Sequence, residues 1–277
     1  MKSINCRGKL INLDMPRVMG VLNITPDSFY DGGKYRNVDM ILAQAKKMLE
    51  DGATFIDVGG YSSRPGAKDI SPEEEKCRIV PIIQLLVAEN PEICISVDTF
   101  RAGVARAGIE AGAAIINDIS GGMLDKNMLP TVASLKVPYV LMHMRGTPRT
   151  MKTLVEYDDV VREVVLWLSE RISMARELGI DDIIADPGFG FAKTVAQNFE
   201  MLNKMEVFQS LDVPLLAGLS RKSTIYKTLG ITADEALNGT TVLNTLALQK
   251  GASILRVHDV KEAMETIKLM EKVNTAP

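Results

Sequence analysis

Eight short, apolar, β-rich runs separated by helical stretches over about 250 residues predict a (β/α)8 barrel preceded by a short N-terminal hairpin, an α/β fold. Three observations carry that expectation. The runs are apolar throughout rather than alternating, as parallel strands buried on both faces are. The stretches between them repeat apolar residues at spacings of three and four. Several of those stretches stop at glycine after a charged turn, at Gly52, Gly112, Gly179 and Gly251.

Taken in order, SINCRGKLINL (3–13) reads as a hairpin that would cap the barrel bottom. VMGVLNIT (18–25), TFIDVGG (54–60), ICISVDT (93–99), AIINDIS (114–120), PYVLMHM (138–144), DIIADPG (182–188), PLLAGLS (214–220) and SILRVHD (253–259) read as the strands. MILAQAKKMLEDG, EEEKCRIVPIIQLLVAE, RAGVARAGIEAG and VVREVVLWLSERISMARELG are the clearest of eight expected helices. An open doubly wound sheet is the rival, but it fits eight regular units less well, and no GxGxxG follows the first strand. Without a linker, low-complexity tract or long charge run, residues 1–277 read as one domain. Two connections, TPDSFYDGGKYRN (25–37) and YSSRPGAKDISP (61–72), exceed the usual βα length of about 2–6 residues. In a barrel both leave the C-terminal face, where such loops act as lids.

Composition narrows the function. An apolar content of 46% and a charged content of 24% are ordinary for a globular protein. A net charge of −3 gives no general attraction to nucleic acid or an anionic membrane, so a bound anion must meet local positive charge. Cys6, Cys77 and Cys94 show no CxxC or metal-like spacing, and their odd number argues against a disulfide framework. The opening residues lack a continuous apolar core of the signal-peptide kind, and no run reaches the roughly 20 apolar residues of a membrane span. The expectation is a soluble, cytoplasmic protein.

The strand ends carry the chemistry. Asn23, Asp57, Asp98, Asn117 with Asp118, His143, Asp186, Ser220 with Arg221 and Lys222, and Arg256 with His258 all fall near the C-terminal ends of strands. In a barrel those ends converge on one mouth, which is where barrel enzymes place their active sites. Asp57, Asp98, Asn117 and Asp186 would form an acidic, amide-bearing wall for a ligand rich in N–H donors or for developing positive charge. Lys222, Arg256 and His258 would form a cationic wall, and SRKS (220–223) would open a helix whose first N–H groups add to an anion site. A ligand with a hydrogen-bonding heterocycle at one end and phosphates at the other suits both walls. Nucleophile elbow, HExxH, P-loop and Cys/His pair are all missing, so neither covalent catalysis nor structural zinc has support. Asp57 reads as a carboxylate that orients others, His143 as a structural histidine, and the 15 methionines and Trp167 as packing.

VLNITPDSFYDGG, IDVGGYSSRPGA, ISVDTFR, IINDISGG, LMHMRGTP, IADPGFGFAKT, LLAGLSRKS and RVHDVKE, in this order and spacing, resemble the motifs of the dihydropteroate synthase family from about residue 18 to 265. The resemblance implies a TIM barrel of the folate pathway, a target of sulfonamide drugs. Such an enzyme joins (7,8-dihydropterin-6-yl)methyl diphosphate to 4-aminobenzoate with Mg2+, releasing diphosphate. It implies Asp186, Asn117 and Lys222 as pterin ligands, and Asp98 where positive charge would grow if the C–O bond breaks before the amine attacks. It implies Asn23 as a contact to Mg2+ and Arg256, His258, Ser63 and Arg64 as diphosphate ligands. Phe29, Pro65, Phe191 and Ser223 would form the 4-aminobenzoate site, and Asp27 and Asp31 on the first loop would approach the cationic intermediate when the lid closes. Two positions depart from the family's usual GGESTRPG: Tyr61 stands for Glu and Ser63 for Thr, and neither reaches the pterin wall. A homodimer through late barrel helices is also implied, and the helix around 233–250 is apolar enough to permit it. A pterin-dependent methyltransferase would share the Asp/Asn wall but has no need of a diphosphate site, so SRKS, RVH and the second loop count against it, and intact Asp98, Lys222 and Arg256 argue against a non-catalytic pterin-binding barrel.

Overall fold

The computed structural model describes residues 2–24, 34–62 and 69–276. Strands β1 (Ser3–Cys6) and β2 (Lys9–Asn12) form the antiparallel hairpin. Their two-residue turn, Arg7 and Gly8, has positive φ at both positions, which matches the twist of the paired strands.

Eight parallel strands follow: β3 (Arg17–Asn23), β4 (Phe55–Gly59), β5 (Ile95–Asp98), β6 (Ile115–Asp118), β7 (Tyr139–Met142), β8 (Ile183–Asp186), β9 (Leu216–Ala217) and β10 (Ile254–Val257). Helices α1 (Lys34–Glu50), α2 (Pro72–Glu89), α3 (Ala102–Glu110), α4 (Met128–Leu135), α5 (Val160–Glu177) and α6 (Val195–Asn203) alternate with them up to β9. Local chemistry starts several of these helices: Ser71 caps α2 ahead of Pro72, Asp159 caps α5, and Thr194 with Gln197 forms a capping box on α6.

The strand order around the ring is β8-β7-β6-β5-β4-β3-β10-β9. A single bridge between Ala185 and Leu215 closes it, with Ala185 N–H donating to Pro214 O at 2.9 Å. Two features differ from expectation. The run at 214–220 yields a strand of only two residues, and at its N-terminal end Pro214 has no N–H to extend the ladder. Two helices rather than one follow it, α7 (Ser223–Leu229) and α8 (Leu237–Gln249), before β10 and the last helix α9 (Val260–Thr275).

The period-two geometry of the strands sorts their side chains. Val18, Ile56, Val97, Ile116, Ile183 and Leu255 face outward into one large core with the helices. Met19, Phe55, Ile115, Val140, Ile184, Leu216 and Ile254 face inward and form the floor with Ile4, Cys6, Ile11 and Leu13 of the hairpin. Two residues further along the same inward face lie Asp57, Asn117, Asp186 and Arg256. The apolar floor and the polar mouth are thus successive layers of one barrel interior.

Candidate active site

Arg256 is the centre of the mouth. Its Nε donates to Asp57 Oδ2 and its NH2 to Asp98 Oδ2, each at 2.6 Å. Asp57 is fully buried, and its Oδ2 also accepts from Asn117 Nδ2 at 3.0 Å. Because a carboxylate only accepts, this fixes the Asn117 amide and leaves Asn117 Oδ1 as an acceptor. Asp57 Oδ1 is buried with no hydrogen-bond partner among the described residues.

The expected separation into an acidic and a cationic wall is therefore corrected. The guanidinium of Arg256 reaches across β3 from β10 into the acidic group, because a buried carboxylate needs a partner charge and this arginine lies within reach. Asp57, expected to orient others, does so by holding both Asn117 and Arg256. Burial pushes the Asp98 carboxyl up to about 7 against the pull of Arg256, with the Asp57, Glu75 and Asp118 charges adding to the rise.

Asp186 and Lys222 stand on the two banks of the barrel seam. Asp186 is 5% exposed and its Oδ1 accepts from Gly188 N at 2.7 Å. Lys222, the residue before α7, donates to Phe189 O, and its Nζ lies 5.0 Å from the centre of the Phe191 ring. A Cβ on Gly218 would lie 3.5 Å from Lys222 Nζ and 4.0 Å from Asp186 Oδ2, so both groups overlook the same bare backbone just after β9. Burial raises the Asp186 pKa, with Lys222 opposing, and burial lowers that of Lys222 to about 8 with Asp186 opposing.

The remaining sequence candidates separate. Asp118 points outward and binds Ser120, Gly122 N and Tyr139 OH, shaping its loop rather than the mouth. His143 is likewise structural: its ring lies edge-on to Trp167 at 5.0 Å, and burial drives its pKa down to about 2, keeping it neutral. His258 is at the rim. Ser220 Oγ accepts from His258 N–H and lies 3.0 Å from Nδ1, so one hydroxyl holds both the backbone and the ring of His258. Asn23 ends β3, half-buried, and Ser223 opens α7. Arg221 pairs with Asp259 and braces the loop instead of facing the mouth. Phe29, Ser63, Arg64 and Pro65, with Asp27 and Asp31, lie outside the described residues.

Tyr61 meets Phe100 edge-on at 5.1 Å with the Arg101 guanidinium 5.2 Å from its ring, while Arg101 pairs with the buried Glu75. Sequence reasoning missed Lys193, buried behind Asp186. The one signal was the place of this lysine two residues after GFGF, between that glycine-rich turn and the Thr194 helix start.

The fold and this mouth define a barrel enzyme of the pterin-binding kind: residues 19–258 match the family described as "Pterin binding enzyme", and the chain belongs to that family. The dihydropteroate synthase of Escherichia coli K12 is 41% identical over 98% of this chain and 96% of its own. The Xanthomonas albilineans dihydropteroate synthase with 4-aminobenzoic acid superposes with a TM-score of 0.93 at 42% identity, covering 99% of each chain. The same enzyme in complex with 7,8-dihydropteroate gives 0.90 at 40% identity over 99% of this chain and 100% of that one. Within the pterin-binding enzymes, the chain is a member of the dihydropteroate synthases.

Proposed function

We propose that the chain joins (7,8-dihydropterin-6-yl)methyl diphosphate to 4-aminobenzoate, giving 7,8-dihydropteroate and diphosphate, by a dissociative path. One observation carries the reading: Asp98, Asp57, Asn117 and Arg256 form one bonded group in the same barrel mouth as Asp186 and Lys222. Asp186 Oδ2 would accept from the N–H edge of the pterin, Asn117 Oδ1 from a second edge, and Lys222 would donate to the ring carbonyl. The C–O bond breaks with its electron pair going to the diphosphate, and the dihydropterin delocalises the resulting methylene cation. The ionised Asp98 stabilises that charge; the amine nitrogen then forms the C–N bond and gives up one proton. Arg256, already bonded to two carboxylates, would mainly hold Asp57 and Asp98 in place. His258 would meet the diphosphate beside Ser63 and Arg64. Phe191 and Ser223 would face 4-aminobenzoate with Phe29 and Pro65.

Asn23 fits Mg2+: a single neutral amide oxygen at a strand end suits a hard cation that arrives with the diphosphate and keeps few protein ligands. When bound there, Mg2+ would neutralise charge on the leaving diphosphate. Exposed Val242 and Leu246 on α8 and Leu269 and Val273 on α9 support a homodimer through these late helices. Three free cysteines, and no helix among the described residues long and apolar enough to cross a membrane, accord with a cytoplasmic location.

Purified protein incubated with the pterin diphosphate, 4-aminobenzoate and Mg2+ tests the reading. Diphosphate release that requires the amine supports it. Release without the amine would mean water captures a free cation, and no release with or without it would overturn the assignment.

A further inference from the structure

Lys193 sits on the turn between β8 and α6 and is 9% exposed. Three acceptors surround its Nζ: His143 Nδ1 at 3.0 Å, Gly188 O at 3.1 Å and Phe191 O at 3.0 Å. An ammonium has three N–H donors, so donors and acceptors match one to one. Two acceptors are main-chain carbonyls of the same turn, and the third belongs to the loop after β7.

That turn needs holding. Gly188, Gly190 and Ala192 all have positive φ, and the alanine adopts it at a cost a glycine avoids. Asn198 Oδ1 accepts from Gly190 N at 2.6 Å, and Tyr157 OH donates to Ala192 O at 3.0 Å. Between the two carbonyls gripped by Lys193 stands Phe189, whose carbonyl accepts from Lys222, and the second of the two belongs to Phe191, whose ring Lys222 approaches.

We propose that Lys193 is a positioning residue: its three-donor clasp sets the 188–191 turn, and through it the Phe191 ring. The consequence for 4-aminobenzoate rests on the reading above, which places that substrate against Phe191. The charges facing the clasp are Asp186 from β8, which favours the ammonium, and Lys222 and Arg145, which oppose it; the His143 ring is neutral. Burial, then those like charges, lower the Lys193 pKa to about 7. Loss of the proton leaves two neutral donors for the two carbonyls and no charge to strengthen any of the three contacts, so the turn loosens as pH rises through neutrality.

Lys193→Met keeps an unbranched side chain one atom shorter and removes every donor. Its KM for 4-aminobenzoate is expected to rise about fivefold or more at pH 6.5, with the KM for the pterin diphosphate moving less than about twofold. In a Phe191→Ala background the same change should shift the 4-aminobenzoate KM by less than about twofold. The wild-type KM for 4-aminobenzoate should climb above neutral pH, and that of the variant should not. Amide exchange at residues 188–191 should quicken about tenfold while the barrel strands keep their protection. Equal shifts in both KM values, additivity with Phe191→Ala, or unchanged exchange would each overturn the proposal. Should Lys193→Met fail to fold, His143→Phe removes one acceptor and keeps a ring against Trp167; it must raise the 4-aminobenzoate KM, and an unchanged value refutes the clasp. A wild-type protein that makes no dihydropteroate would remove the substrate assignment, while the exchange measurement still decides the role of Lys193.

Discussion

Replacing Arg256 by methionine would strip the partner from two carboxylates at once. The arginine side chain is 22% exposed, Asp98 20% and Asp57 not at all, so water can compensate little of what is lost. Removing one member of a buried ion pair costs about 3–5 kcal/mol, because the remaining charge stays desolvated and uncompensated. In a chain of this size that corresponds to a fall in Tm of roughly 6–20 °C. The loss should depend on pH in a defined direction. Folded Asp98 sits at about 7, above its unfolded value, so the native state holds a proton that the unfolded state releases, and stability declines as pH rises through that window. Without Arg256 the main opposing influence is gone, and Asp98 rises further. The deficit of Arg256→Met against wild type should therefore be largest near pH 8 and shrink towards pH 5.5. Thermal unfolding followed by circular dichroism at both values measures it. A Tm loss below about 2 °C at pH 8, or a deficit that does not shrink on acidification, would refute the bridging role of Arg256.

Lys222 carries its positive charge, and with it its strongest hydrogen bonds, only while protonated, so turnover should fall as pH passes about 8, and Lys222→Arg should move that limb to higher pH; a rate still climbing at pH 9.5 removes Lys222 from the mechanism. Asp186→Asn should weaken pterin binding in calorimetry about tenfold to a hundredfold, the value of one charge-assisted hydrogen-bond fork, and an unchanged Kd would sink that assignment. Gly188→Ala would put a Cβ 2.0 Å from His143 O at φ +72°, whereas Gly230→Ala, at φ +67°, meets nothing within 4 Å. The first should abolish soluble folded protein or lower Tm far more than the second, which should cost only about 1 kcal/mol; equal effects would contradict the packing of the 188 turn against β7.

How much of this was legible in the sequence depended on what fixes each feature. The positions of Asp57, Asn117, Asp186 and Arg256 were readable, because a strand of apolar residues ending in a polar one commits the side chain by parity alone. The partner of Arg256 was not, since a long, flexible side chain at the end of β10 could meet an anion or a carboxylate, and only the ring geometry brings Asp57 and Asp98 within 2.6 Å. Lys193 was hidden for a different reason. A lysine before a Thr-capped helix reads as solvated, and its burial follows from two loops, after β7 and β8, folding against each other. Tyr61 showed its departure from the family pattern but not its place, which depends on Phe100 and Arg101 some forty residues on.

The lone bridge between Ala185 and Leu215 gives the barrel a seam, and Asp186 and Lys222 grow from opposite sides of it. A bound pterin gripped by both would work as a suture across the thinnest join in the wall. Ligand occupancy should then slow amide exchange along β8 and β9 more than along β4 and β5, making the substrate a structural member of the barrel that transforms it.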